Sequence, residues 1–315
     1  MPILLNFNRQ TRQIKAFFMM AMLFTCLIGV IATSQAVADY ISPELIKVKT
    51  EHYAPSNVNL PRGSYVYQIA WQGIPVARSE ILVSDKETSS GQMVSVIAKA
   101  KTGSFIDVFY KLRHESASLF RPQTFQPVNF RSYQKENSRV LSREINFDPN
   151  GVISFKEMKK GKDLLEKSFD PQNLTFDPIS AVFFARSIPL KIGEDLTFDV
   201  FNGKHRYLIT FNAVAKEKLQ LGDNYFDTVK LVPTVKKLTD TKGEKKFHSA
   251  TIWVTDDEYR QILKLESSVF VGSVSATLES YTPEITPDSP ISSTVQAIRI
   301  NLDPDSNRVA VAAAD

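Results

Sequence analysis

Gly63-Ser64-Tyr65-Val66-Tyr67-Gln68-Ile69-Ala70-Trp71, followed by the turn Gln72-Gly73-Ile74-Pro75, is the stretch that decides the fold. It is rich in residues that favour strands, and Gly-Ile-Pro punctuation follows it at once. Residues 76–83 resume an imperfect alternation, 85–92 read as a polar turn containing Gly91, and 93–101 alternate again, so the pair reads as a hairpin. The same signature recurs at 112–120, 128–134, 140–147 and 151–159, then at 195–201, 205–214, 225–235, 250–254, 262–269 and 272–281. Asp148-Pro149-Asn150-Gly151, Asn202-Gly203, Gly222-Asp223-Asn224 and Lys242-Gly243 supply turns between them. Many short strands with regular turns imply an antiparallel architecture, not βαβ units. The expected fold is mainly β: a curved antiparallel sheet or an open barrel or spiral, with one short helix packed on or in it.

That helix is written in Asp177-Pro178-Ile179-Ser180-Ala181-Val182-Phe183-Phe184-Ala185-Arg186. Asp177 is an N-cap residue, Pro178 suits the first helical position, and Arg186 complements the C-terminal dipole. Ile179, Val182 and Phe183 fall on one face, and Phe183 is expected to pack on the open end or interior of the sheet.

The N-terminal region has a different logic. Arg9, Arg12 and Lys15 precede an apolar block from Ala16 to Ala32, and Ala36-Val37-Ala38 follows. This order is that of a secretory signal peptide cut between Ala38 and Asp39, with an uncleaved anchor as the rival. Cys26, the only cysteine, lies inside the apolar block, so a mature chain would have no thiol or disulfide chemistry. An exported, cysteine-free chain of this kind points to a bacterial periplasm, and no later apolar run reaches membrane-spanning length.

The chain of 315 residues has 38 Lys plus Arg against 34 acids, a net charge of +4. Without Arg9, Arg12 and Lys15 the balance is 35 to 34, which gives no support to a nucleic-acid partner. At 43% hydrophobic and 23% charged, disorder is excluded for most of the length.

No phosphate loop, dinucleotide fingerprint or nucleophile elbow occurs. Ser132-Tyr133-Gln134-Lys135 has Ser-x-x-Lys spacing, but in a strand those two side chains point to opposite faces. His52, His114, His205 and His248 are scattered and read as surface or edge residues, not as metal ligands. Neither a cofactor nor a metal is indicated, and no catalytic residue is assigned. Asp256-Asp257-Glu258 could provide an acid/base pair or hold a hard cation, although its place after Trp253-Val254 makes an acidic hairpin turn the simpler reading. Five lysines in 236–246 read as a solvated loop.

Aromatic residues are more informative. Phe105, Phe109, Tyr110, Phe120, Phe125 and Phe130 cluster in the first half, and Phe183, Phe184, Phe198 and Phe201 in the second. They either fill an aromatic core, the preferred reading, or line a curved sheet wide enough for an apolar ligand. Periodicity does not separate the two.

Several segments resemble the DUF3108 proteins, exported bacterial proteins of unknown function. Gly63 to Tyr67 with Trp71-Gln72-Gly73-Ile74-Pro75-Val76-Ala77 is similar to the family's first strand pair, with Ala77 where glycine is usual. Thr102-Gly103 with Phe109-Tyr110, the Asp177–Arg186 block with Pro189-Leu190 and Gly193, and Trp253-Val254-Thr255-Asp256 with Gly272-Ser273-Val274 extend the resemblance. It implies an exported β-rich protein and carries no catalytic residues.

The expected organisation is a signal peptide over 1–38, a polar leader over 39–62, a β-rich domain over 63–281 and a flexible tail over 282–315. Three functions compete. One is a non-enzymatic periplasmic envelope protein that binds an apolar or glycan ligand or an envelope protein. Another is a hydrolase of envelope polymers using Asp256, Asp257 or Glu258. The third is an assembly factor whose tail docks a partner.

Overall fold

The structure, a computed structural model, describes residues 54–171, 173–238, 250–268 and 272–284, with 298–299 and 311–312 as short bridges. Strand β1 (Gly63–Trp71) pairs antiparallel with β2 (Ile74–Thr88) on one side and with β15 (Ser273–Pro283) on the other. From β2 an antiparallel meander runs through β3 (Gly91–Thr102), β4 (Leu112–Phe120), β5 (Pro127–Glu136), β6 (Arg139–Phe147), β7 (Ile153–Lys159) and β8 (Leu165–Phe169). On the far side of β1 the order is β15, β14 (Ile262–Ser268), β13 (Ala250–Thr255), β12 (Asn224–Lys237), β11 (Arg206–Leu221) and β10 (Asp195–Phe201). The two-residue β9 (Thr175–Phe176) adds parallel to β10, while β16 (Ile298–Arg299) and β17 (Val311–Ala312) touch β15 and β11.

The result is one large, mainly β sheet whose ends do not close into a hydrogen-bonded ladder. Its ends meet through side chains. Phe201 of β10 packs edge-on against Phe155 of β7 and Phe169 of β8, with ring centroids 5.1 and 5.0 Å apart. Arg206, fully buried, ion-pairs Asp199 across β10 and β11 and donates to the Pro171 carbonyl at 3.1 Å. Rolling the sheet this way turns one face of the longer strands inward. On β1 that face carries Tyr65, Tyr67 and Ile69. Gly63 is required where β1 meets β15: its φ is +140°, and a Cβ there would lie 2.2 Å from the Thr282 carbonyl oxygen.

Helix α1 (Ser104–Asp107) links β3 to β4 and packs Ile106 against the Ile69, Val76 and Tyr110 cluster, and α2 (Pro178–Ser187) lies inside the roll against β4, β9 and β10. Asp177 caps α2 by accepting from Ile179 N at 2.7 Å and Ser180 N at 3.1 Å, and the Ser180 hydroxyl accepts from Asp177 N. The carboxylate has a further duty: Ser118 of β4 donates to it at 2.7 Å, tying the helix start to the sheet. Burial of Phe183 against Phe120 (5.5 Å) forms one helix face. Phe184 forms another, stacked on Phe176 at 4.6 Å and edge-on to Phe198 at 5.9 Å. The helix is thus buried nearly all round, not on one face only.

Three expectations need correction. Residues 85–88 are not a turn but the end of β2, paired with 91–94 of β3, because a two-residue turn suffices for a hairpin. Phe105 and Phe109 are not core residues; they stand 75% and 64% exposed on and beside α1. His114 is not a surface residue but is 4% exposed on the inward face of β4. Gly103 and the α1 turn lift Phe105 off the sheet, whereas the period of β4 carries His114 inward with Leu112, Ser116 and Ser118.

Candidate functional site

Because α2 lies toward β4, β9 and β10, the other side of the roll is lined but not filled. An apolar cavity of about 430 Å³ occupies it. Tyr65, Tyr67, Ile81, Val96 and Ala98 of β1–β3 form one wall, and Val229, Leu231, Ile252, Val254, Ile262 and Leu265 of β12–β14 the other. The roof is α2, through Ile179, Val182, Phe183, Ala185 and Arg186. Among the lining residues Pro189, Asp256, Asp257 and Glu258 are the exposed ones, so the cavity opens at the turn between β13 and β14.

That turn is built by its own side chains. One oxygen of Asp257 accepts from the Thr255 hydroxyl and from the backbone N–H groups of Tyr259 and Arg260, at 2.8, 2.9 and 2.9 Å. Asp256 ion-pairs Lys216 at 2.6 Å, and the Glu258 carbonyl accepts from Asn57 at 2.9 Å. The three carboxylate residues therefore meet at the cavity mouth as a turn, with Asp256 and Asp257 engaged in holding it. Within the 39–62 leader, residues 54–62 pack along this edge: Leu60 is buried, and the Ser56 hydroxyl donates to the Ser187 carbonyl at the end of α2.

A polar cluster sits at the inner side of the mouth. Arg186 donates through Nε to the Tyr259 and Arg260 carbonyls, at 3.2 and 3.0 Å, and through Nη2 to Tyr259 O and Gln261 Oε1, at 3.0 and 3.1 Å. Gln261 passes the chain on to the Tyr67 hydroxyl at 3.1 Å, which donates to the Ile262 carbonyl. Tyr65 stacks on Tyr281 at 4.5 Å. Burial raises the phenol pKa of both Tyr65 and Tyr67, and the nearby Arg186 charge opposes it, so both stay neutral hydrogen-bonding groups.

Of the residues singled out from sequence, Asp177, Pro178, Phe183 and Arg186 all lie on or at α2, and the last three line the cavity. Ala36, Ala38 and Asp39 lie outside the described residues, as do Cys26, His52 and His248. Ser132 and Lys135 point to opposite faces of β5, with Lys135 exposed. Tyr67 and Gln261 had no sequence signal: one reads as a strand former and the other as a turn residue. Among the described residues no helix is long and apolar enough to cross a membrane.

The sequence model of a protein family of unknown function, DUF3108, matches residues 66–279. None of the curated proteins matches the chain. Among solved structures, a β-barrel-like protein of the DUF1849 domain of unknown function from Brucella abortus is similar, at 8% identity and a TM-score of 0.45 over 70% of this chain and 96% of that one. A provisionally assigned lipoprotein from Parabacteroides distasonis ATCC 8503 aligns over 75% of this chain and 100% of that one, at 11% identity and a TM-score of 0.31.

Proposed function

We propose a function from the interior of this chain, since it belongs to the DUF3108 family, whose function is unknown: it is a non-enzymatic periplasmic protein of the cell envelope that holds an apolar ligand, a lipid acyl chain, inside its rolled sheet. The observation that carries this reading is the cavity of about 430 Å³ with its aliphatic and aromatic walls. It falls within the ~300–1,000 Å³ of small-molecule sites. Water suits such walls poorly, because an ordered water needs about two to four polar partners. Apolar matter suits them well, because hydrocarbon against these walls regains the dispersion contacts that an unfilled space forfeits. Support for export comes from the Arg9–Ala38 segment, whose order is that of a signal peptide with a mature start at Asp39.

One experiment addresses both halves. Native mass spectrometry of protein recovered from the periplasm should give the mass of a chain starting at Asp39 plus an amphiphile of lipid size, released when the protein is denatured. A bare chain that takes up no added lipid would sink the ligand reading, and a chain retaining Met1 would mean an uncleaved anchor and sink the cleavage before Asp39.

A further inference from the structure

Arg186 is 6% exposed and lines an apolar cavity, yet its hydrogen-bond acceptors at 3.0–3.2 Å are the carbonyls of Tyr259 and Arg260 and the amide oxygen of Gln261. All are neutral. Among the described residues no carboxylate lies within ion-pair distance of it. The acids at the mouth are already engaged: Asp256 by Lys216, Asp257 by the turn it organises and Glu258 by the Tyr259 hydroxyl. A buried cation with neutral partners only is unusual, because desolvation of the charge is costly unless an anion compensates it. Arg206, another deeply buried arginine among the described residues, obeys that rule: it is paired with Asp199.

Arg186 differs in facing a space that a ligand can enter. Its Nε and Nη2 are used by the turn, and the Tyr65 hydroxyl, also hydrogen-bonded to the guanidinium, is one more neutral partner on the cavity wall. A guanidinium is suited to carboxylate and phosphate oxygens, and such charge-assisted bonds strengthen in a dry site. The Tyr67 hydroxyl and Gln261 amide beside it add neutral hydrogen-bonding groups. Behind this polar rim the walls are apolar along β2, β3 and β12–β14.

We infer that the cavity selects amphiphiles with an anionic head, a carboxylate or a phosphate, which pairs with Arg186 at the mouth while the hydrocarbon chain lies inward along Ile81, Val96 and Leu265. This rests on the acyl-chain reading above and adds the chemistry of the head.

The test compares ligands of one chain length on the full mature protein, freed of bound lipid by hydrophobic resin. At pH 8 and below the micelle concentration, dodecanoate and dodecyl phosphate should bind about tenfold or more tightly than dodecanol, the worth of one buried charge-assisted bond. Dodecyltrimethylammonium should bind more weakly than the alcohol. Inorganic phosphate alone should not compete, which distinguishes a lipid head from a free-anion site; strong competition by it would overturn the amphiphile reading. Arg186→Gln should erase the preference for the anions while leaving dodecanol bound, and Arg186→Lys should keep most of it. Should Arg186→Gln fail to fold, the wild-type ranking of the ligands and the lysine variant still decide. Equal binding of anion and alcohol overturns the role of Arg186 and leaves the cavity reading intact. Binding of none of them overturns the cavity reading itself.

Discussion

Phe183 and Phe184 are adjacent on α2, yet truncation should cost the protein very different amounts. Phe184 stacks on Phe176 at 4.6 Å, meets Phe198 at 5.9 Å and Phe125 at 6.5 Å, and does not line the cavity. It is packed on all sides, so Phe184→Ala leaves a void inside a dense aromatic cluster and should cost about 4 kcal/mol, within the usual 3–5 for a buried phenylalanine. Phe183 touches Phe120 at 5.5 Å and the Arg186 guanidinium at 5.5 Å, while another part of the ring borders the cavity. That part of the ring has no packed neighbour and gains no dispersion energy there, so Phe183→Ala should cost only about 2 kcal/mol. For a domain of this size, 1 kcal/mol moves Tm by about 2–4 °C, so the two variants should separate by roughly 5 °C. Urea unfolding at fixed pH, with a check that the m-value is unchanged, measures the difference directly. Equal losses, or a larger loss at Phe183, would mean that this side of the helix is packed as densely as the other, and the cavity would not exist in solution.

Three further outcomes follow from the same geometry. Asp257→Ala leaves three donors of the β13–β14 turn without their acceptor and should cost about 1–2 kcal/mol in urea unfolding, whereas Asp256→Ala breaks one exposed ion pair with Lys216 and should cost under about 1. Burial, helped by the Arg143 charge, pushes the His114 pKa down from 6.5 to about 4. The unfolded chain therefore takes up this proton first, and stability present above pH 6.5 is lost as pH falls toward 4, by on the order of 3 kcal/mol; in His114→Gln that part of the loss should vanish from pH-dependent unfolding curves. Arg206→Leu strands the buried Asp199 carboxylate where the sheet ends meet and should cost about 3–5 kcal/mol, while adding Asp199→Leu should recover much of it, as denaturation of both variants would show.

The architecture was largely legible because its carriers are local. Gly63–Trp71 is dense in strand formers, and Asp177-Pro178 writes a helix start that the hydrogen bonds reproduce; that Ser180 completes the cap was not read from the sequence. Misread elements share a physical cause. The end of β2 (Asp85, Lys86, Glu87) is an exposed polar hairpin arm, so its composition looks like a loop although its backbone is fully laddered. On β4 the buried face carries His114, Ser116 and Ser118, and polarity there conceals inward orientation. Phe105 and Phe109 err in the opposite sense, since an apolar residue can sit on a surface turn without penalty to the rest of the fold.

The site was legible only in part. Both a packed core and a lined cavity place apolar residues inward, so alternation along Ile81, Val96 and Ile252 is compatible with either. What distinguishes them is where α2 settles in the roll, a non-local outcome of Asp177 bonding to Ser118 and of Phe184 entering the Phe176–Phe198 cluster. Arg186 was legible as a helix-end cation, but its turn into the cavity depends on carbonyls 73–75 residues away in sequence.

The central claim is that the rolled sheet holds its ligand in the space under α2. Val182, half-buried on the helix and lining that space, is the place to fill it. The direct measurement is titration of lipid-free protein with the fluorescent apolar dye N-phenyl-1-naphthylamine, wild type beside Val182→Trp. Saturable uptake near one equivalent by the wild type, displaced by dodecanoate and abolished in a Val182→Trp protein of unchanged Tm, is the predicted result. No saturable uptake by the wild type, or equal uptake by the filled variant, would contradict it.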